Sequence, residues 1–227
     1  VIRGRHLVEL SIHEFCIEKI EKIEKDNKRY IELMYNHFGY YAKHKKTISN
    51  KLKKIIQTPK NKYFLSFFAT LVGSNNCAII KSLEISYEHF TERPHNKRKI
   101  ILQQAITKNN ADVFKTLLKK IGKLEPDNQR EIFEMENDFQ ENTLDLAYFF
   151  RRRNDDFFNM LLKNENICME QCLKKIIDEN DIEYLEKCLN YINLTNEKIK
   201  EIIVSTKDHS SEQIAQRKLL SYYLDKV

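Results

Sequence analysis

Apolar and polar residues follow one another along most of the chain with the three- and four-residue spacing of amphipathic helices. After Pro59, four segments share an asparagine turn, usually an acidic residue, two bulky apolar residues, two polar residues and one or two closing apolar residues. They cover residues 76–83, 110–118, 154–162 and 180–189. Asparagine accepts left-handed backbone geometry and caps free N–H groups, and apolar positions one turn apart form a buried stripe. Each segment therefore predicts a short helix after a tight turn.

A second short apolar helix is predicted before each of these turns, at residues 64–71, 100–106, 144–150 and 172–177. The repeating unit is thus a helix, a tight turn and a second helix. The equivalent positions Ala78, Asp112, Asp156 and Glu183 are 34, 44 and 27 residues apart. Spacings of this size are typical of solenoids, in which each unit buries its apolar face against a neighbour.

The two ends of the chain continue the helical pattern. Residues 1–60 predict a helical hairpin, residues 61–192 the repeats, and residues 193–227 two helices that cap the open end of the stack. The predicted fold class is all-α, and the predicted architecture is an α-solenoid of stacked helix pairs.

One segment of the sequence resembles the motif of a known protein family. Asn142-Thr-Leu-Asp-Leu-Ala147 resembles the Thr-Pro-Leu-His-Leu-Ala opening of an ankyrin repeat, and residues 105–118 and 176–189 keep the family's seven-residue step between helices. The resemblance covers about residues 62–192. It departs from the family where asparagine replaces the turn glycine, where the third unit carries about two extra residues, and where residues 119–141 form an insertion or an additional helix. The resemblance implies β-hairpin fingers and a protein-binding scaffold, and a plain helix-pair solenoid is the alternative.

The composition argues against an enzyme. Four Gly and three Pro in 227 residues exclude a fold that depends on glycine loops, and the chain has no Gly-rich phosphate loop and no Gly-x-Ser-x-Gly motif. Cys168 and Cys172 share a helix face, but no companion ligands stand at zinc-site spacing, so core packing is expected. We therefore predict no catalytic residues, no metal, no cofactor and no small-molecule substrate.

The number of cysteines and the amino-acid composition suggest the compartment of the protein and the kind of genome that encodes it. Five Cys, without the spacing of a disulfide framework, favour a reducing compartment and a cytoplasmic location. Lys, Ile and Asn account for 75 of the 227 residues, as expected for an AT-rich genome such as that of an intracellular bacterium or parasite. An ankyrin-like chain from such a source resembles the secreted effectors that engage host proteins.

The charge is unevenly distributed although the net charge is only +6. Residues 33–83 contain nine Lys and no acid, whereas residues 125–145 contain eight acids and one Arg. Within the basic segment Lys43–Lys62, four lysines are candidates for binding nucleic acid or an anionic membrane: Lys45, Lys46, Lys53 and Lys54. The alternative interpretation is the solvated face of a core helix.

A second basic feature lies in the turn of the third unit. Arg151, Arg152 and Arg153 stand where an ankyrin-like stack presents its binding surface, and guanidinium groups bind carboxylates or phosphates through paired hydrogen bonds. We expect them to contact a partner protein with an acidic surface. Pairing with the acidic residues 131–141 of the same chain is the alternative.

Overall fold

The computed structural model describes residues 62–91, 100–191, 194–205 and 214–224. Within these ranges the chain forms helices and no strand, which confirms the predicted all-α class. The chain divides into two compact units, Val1–Lys123 and Leu124–Val227. The hairpin predicted for residues 1–60, with its four candidate lysines, lies outside the described residues.

The described part of the first unit contains five helices arranged as two pairs and a short extra helix. They are α1 Lys62–Gly73, α2 Cys77–Ser82, α3 Tyr87–Thr91, α4 Ile101–Thr107 and α5 Ala111–Ile121. Helix α1 packs against α2 and α4, and α5 packs against α4 and α2. Fully buried side chains such as Phe68, Ile79, Leu102 and Phe114 fill the space between the pairs. Equivalent helices of neighbouring pairs thus lie side by side.

The second unit continues with seven helices in its described residues. They are α6 Pro126–Glu134, α7 Thr143–Phe149, α8 Asp156–Leu162, α9 Glu170–Asp178, α10 Ile182–Leu189, α11 Asn196–Ser205 and α12 Ile214–Leu224. The first helices of its pairs pack in chain order, α7 on α9 and α9 on α11, while α10 packs on α12. Leu144, Phe158, Leu173 and Leu185 are fully buried in its core. Helix packing in this unit is therefore sequential along the chain.

Three of the turns inside the pairs have the same backbone geometry. Asn75, Asn109 and Asn180 have φ of 56°, 57° and 53°. After α4, the N–H of Asn109 donates to the carbonyl of Ile106 at 2.9 Å, and the N–H of Asn110 donates to that of Ala105 at 2.9 Å. The turns after α1 and α9 repeat this pair of bonds. This is a Schellman ending, with asparagine in the left-handed position that glycine usually takes.

The turn of the α7–α8 pair differs from the other three. Phe150 ends α7, and Arg153 and Asn154 both donate their N–H groups to the Phe150 carbonyl, at 2.9 and 3.1 Å. No residue of this turn has a positive φ. The extra residues predicted from the sequence therefore widen the turn, and Asp155 stands directly before α8.

Residues 119–141 form the end of one helix, a second helix and a reverse turn. Helix α5 continues to Ile121, and Pro126 begins α6, where its missing N–H costs no hydrogen bond. After α6, the Asn137 carboxamide oxygen accepts from the N–H groups of Phe139 and Glu141. The sequence pattern left open whether this stretch is an insertion or an additional helix, and the structure contains the helix.

Candidate functional site

Arg151 lies at the centre of a cluster that joins α7, the turn after it and the α9–α10 turn. Its guanidinium Nη2 is 3.0 Å from Glu179 Oε2 and 3.1 Å from Asp181 Oδ2. The guanidinium carbon lies 3.9 Å from the ring centre of Tyr148, a stacking distance. The Arg151 side chain is 14% exposed. Its charge thus forms ion pairs within the chain that join two successive helix pairs.

Two tyrosines complete this cluster. Tyr148 donates its hydroxyl to both Glu179, at 3.0 Å, and Asp181, at 3.1 Å. Burial and the neighbouring Glu179 raise the pKa of Tyr148 well above its usual value. The rings of Tyr148 and Tyr184 meet edge to face, with their centres 5.5 Å apart. The phenol therefore remains neutral and acts as a hydrogen-bond donor.

A second ion pair joins α8 and α10. The Lys187 ammonium lies 2.8 Å from Asp155 Oδ2, and the Tyr184 hydroxyl donates to Asp155 Oδ1 at 2.7 Å. Burial alone would raise the pKa of Asp155, but the hydrogen bonds from Lys187, Tyr184 and Asn159 outweigh it and lower the pKa below 3.8. Burial and the bond to Asp155 raise the pKa of Tyr184 to about 12. These groups hold the third and fourth helix pairs together.

Asp145 is a buried carboxylate at the beginning of α7. Its Oδ2 accepts from the N–H of Asn142 at 3.2 Å, and the Asn142 side chain accepts from the N–H of Asp145, so the two form a capping box. Lys175 lies 3.5 Å from Oδ2, while Oδ1 has no hydrogen-bond partner among the described residues. Burial raises the pKa of Asp145. This residue stabilises the helix and does not reach the surface.

The three arginines predicted to bind a partner therefore differ in their exposure and in their contacts. Arg151 pairs with Glu179 and Asp181. The alternative interpretation expected acidic partners from the same chain but placed them in residues 131–141. Arg152 and Arg153 are exposed in the same turn. Only these two present their side chains to the solvent.

A basic groove lies on the first unit, where α2 and α5 run side by side. We call it the lysine groove. It has a volume of about 650 Å³ and is lined by Cys77, Lys81, Asp112, Lys115, Thr116, Lys119, Lys120 and Lys123. Five lysines and one aspartate give it a formal net charge of +4. Such a concentration of one sign attracts anions.

The lysines of the groove have two different roles. Lys120 donates to the carbonyls of Leu83, at 2.5 Å, and Lys81, at 3.3 Å, just after the end of α2. A cation there satisfies carbonyl groups that the helix leaves open. Lys81, Lys115, Lys119 and Lys123 are exposed, and among the described residues no carboxylate forms an ion pair with any of them.

Sequence reasoning missed this groove, although two signals were present. Lys115 and Lys119 are spaced by four residues and must share one face of α5, and Lys123 follows at the same spacing just after the helix ends. Lys81 precedes Lys115 by 34 residues, the same spacing as the first two repeats, so the alignment of the repeats already placed these lysines at equivalent positions. The sequence pattern instead pointed to the longer basic segment Lys43–Lys62 upstream.

The cysteines lie in and around the helix packing. Cys172 is buried, with its thiol 4.0 Å from the carbonyl of Leu144, and Cys168 is half-buried. Burial raises the pKa of Cys188 to about 12 and that of Cys172 well above the usual range. In the described ranges, no three His, Cys, Asp or Glu side chains converge as metal ligands. Cys172 and Cys188 act as core residues.

Phe139 and Phe149 are the most exposed aromatic side chains in the described part of the second unit. Phe139, at the tip of the reverse turn before α7, is 83% exposed, and Phe149, in the last turn of α7, is 66% exposed. Phe149 meets Phe150 edge to face, with ring centres 5.2 Å apart. Exposed aromatic residues on ordered backbone are common anchors of protein interfaces.

Comparison with models of known protein families, with curated proteins and with solved structures gave no match. Within the described ranges, no helix is both long enough and apolar enough to cross a membrane. The candidate sites must therefore be interpreted from their own geometry.

Proposed function

We propose that the chain is a non-catalytic helical-repeat module, an α-solenoid of the ankyrin-like kind, that binds another protein. The observation that carries the proposal is the recurrence of one helix–turn–helix unit, with the same Schellman turn at Asn75, Asn109 and Asn180. Within each compact part of the chain, the first helices of successive pairs pack against each other. Repeats of this kind bury a shared core and leave an extended face for recognition.

The reverse turn before α7 supports the ankyrin-like form of the proposal. It precedes Asn142–Ala147, the segment that resembles the ankyrin opening, and Gln140 in it has φ of 58°. Asn137 closes the turn by accepting two backbone hydrogen bonds through its side chain. A compact turn in this place is what the resemblance implies for the tip of a finger, even though the described residues form no strands.

The exposed aromatics and arginines suggest how a partner binds. Phe139 and Phe149 offer apolar anchors, and Arg152 and Arg153, just after α7, offer charge. Arginine and large aromatic residues are enriched at the centres of protein interfaces. The partner of this proposal has an acidic surface with an apolar pocket, and in an effector of an intracellular microbe it is a host protein.

Affinity capture with the full chain tests this function. The wild type and a Phe139→Ser/Phe149→Ser variant are exposed to eukaryotic cytosolic extract, and retained proteins are quantified by mass spectrometry. We expect one partner that the wild type retains and that the variant loses by about tenfold or more, since truncated interface anchors cost at least about 1.4 kcal/mol. The purified pair should then elute together as a complex of fixed stoichiometry.

Val204→Ser provides the matched control, because Val204 is an exposed apolar residue of the same unit. It should leave capture unchanged. Capture that falls equally in both variants indicates general stickiness and contradicts the proposal. Repeated absence of a partner, together with turnover in a substrate screen, would replace the scaffold with an enzyme.

A further inference from the structure

We propose that the lysine groove of the first unit binds a compact polyphosphate, meaning a small molecule that carries several phosphate groups close together. The inference does not depend on the protein partner proposed above, because it concerns a different surface. It rests on the charge, the geometry and the chemical composition of the groove.

No acidic side chain of the described residues neutralises Lys81, Lys115, Lys119 or Lys123. Asp112 is the one acid among the described residues that line the groove. Four ammonium groups around a concave surface repel one another, and the repulsion is relieved when an anion enters. A ligand of high charge density gains the most from such a site.

The geometry matches a compact ligand. Lys115 and Lys119 lie one turn apart on α5, about 6 Å along the helix axis, and Lys123 follows two residues after the helix ends at Ile121. Lys81 approaches from α2 and makes the surface concave. A volume of about 650 Å³ is that of a small-molecule site. A nucleic-acid duplex is too wide to enter a groove of this size.

The side chains of the groove favour phosphate over a peptide or a nucleic-acid strand. Its lining contains no aromatic residue on which a base could stack and no large apolar side chain that could anchor a peptide. It also contains no arginine, the residue that binds carboxylates and phosphates through paired hydrogen bonds, so its cations act as point charges. Lysine binds phosphate as a point charge. Recognition here is therefore by charge density alone.

The test is a calorimetric titration of the full chain with inositol hexakisphosphate and, separately, with inorganic triphosphate. We expect binding that weakens as NaCl is raised from 50 to 300 mM, because salt screens exposed charges. A Lys115→Gln/Lys119→Gln variant should lose about tenfold in affinity, since it removes two of the charge-assisted contacts. Glutamine retains a high helix propensity, so α5 should stay folded.

A Lys108→Gln/Lys174→Gln variant is the matched control, because both of these lysines are exposed, lie outside the groove and give the same change in net charge. It should bind as the wild type does. Equal losses in the two variants, or no binding at all, overturn the proposal. Tighter binding of an octaglutamate peptide or of a 20-base-pair duplex also overturns it and assigns the groove to protein or nucleic acid.

Vesicles that contain a phosphorylated inositol lipid distinguish a head group from a free polyphosphate. Vesicle binding that the soluble compound displaces, and that the groove variant loses, supports the same chemistry with a lipid source. Binding of the soluble compound without vesicle binding supports a free ligand. Vesicle binding that persists in the groove variant overturns the proposal.

Discussion

Arg151 in the second unit and the lysine groove in the first unit place positive charge in two opposite settings. The Arg151 guanidinium stacks on Tyr148 and lies within 3.1 Å of two carboxylates. Lys115 and Lys119, by contrast, are exposed and have no acidic partner among the described residues. Breaking the paired arrangement around Arg151 leaves carboxylates without their counter-charge and costs stability, whereas the unpaired lysines repel one another and attract anions.

The largest expected effect follows from Arg151→Ala. The change removes the cation that pairs with Glu179 and Asp181, and it leaves these two carboxylates close together without their counter-charge. We expect the free energy of unfolding to fall by about 2 kcal/mol, as measured by urea denaturation. Arg151→Lys keeps the charge but loses the planar stacking, and should cost about half as much. A loss below about 0.5 kcal/mol for the alanine variant would show that the cluster is only a surface feature.

The second prediction uses acid to break the ion pair between α8 and α10. The pKa of Asp155 is lowered in the folded chain, so its contribution is present at pH values above 3.8 and is lost as the pH falls through the lowered pKa. Asp155→Asn should therefore destabilise the protein by about 1 kcal/mol at pH 6, and the difference from the wild type should vanish near pH 2. Urea unfolding at a series of pH values measures this, and two parallel curves would contradict it.

The buried Asp145 should respond in the opposite direction. Its pKa is raised by burial, so the folded chain holds a proton that the unfolded chain releases, and stability falls as the pH rises from 3.8 through the raised pKa. Asp145→Asn keeps an acceptor for the Asn142 N–H but removes the ionisation. We expect a flatter dependence of stability on pH, with a difference of up to about 1 kcal/mol. Thermal unfolding from pH 4 to pH 8 tests it, and an unchanged slope would contradict it.

The smallest effect on stability is expected in the lysine groove. Lys115→Gln/Lys119→Gln should leave the free energy of unfolding unchanged or raise it by up to about 0.5 kcal/mol at low salt, because it relieves repulsion between like charges. The gain should disappear in 0.5 M NaCl. A loss of more than about 1 kcal/mol would mean that these lysines are structural, as Lys120 is.

The local patterns were predictable because they depend on neighbours along the chain. Three of the four predicted asparagine turns and the helices after all four appear where the sequence predicted, and α5 continues past Leu118 to Ile121. The setting of Arg151 was not predictable in this way. Its acidic partners Glu179 and Asp181 come 28 and 30 residues later, and only the packing of α7 on α9 brings them to it.

The candidate site shows the same limit. Lys115 and Lys119 could be assigned to one face of α5 from their spacing alone, but their meeting with Lys81 depends on α2 packing beside α5. Three adjacent arginines look equivalent in the sequence, yet one is half-buried in a cluster and its two neighbours are exposed. Long-range packing decides which charges a partner can reach.

The left-handed asparagines described above have a consequence for how such a chain evolves. Glycine is encoded by GC-rich triplets and asparagine by AT-rich ones, and asparagine is the side chain that best tolerates a positive φ after glycine. At Asn75, Asn109 and Asn180, a genome under pressure to lose guanine can exchange one residue for the other and keep the helix ending intact. Nucleotide bias can therefore erase the glycines by which a repeat is usually found while the turns that define it persist.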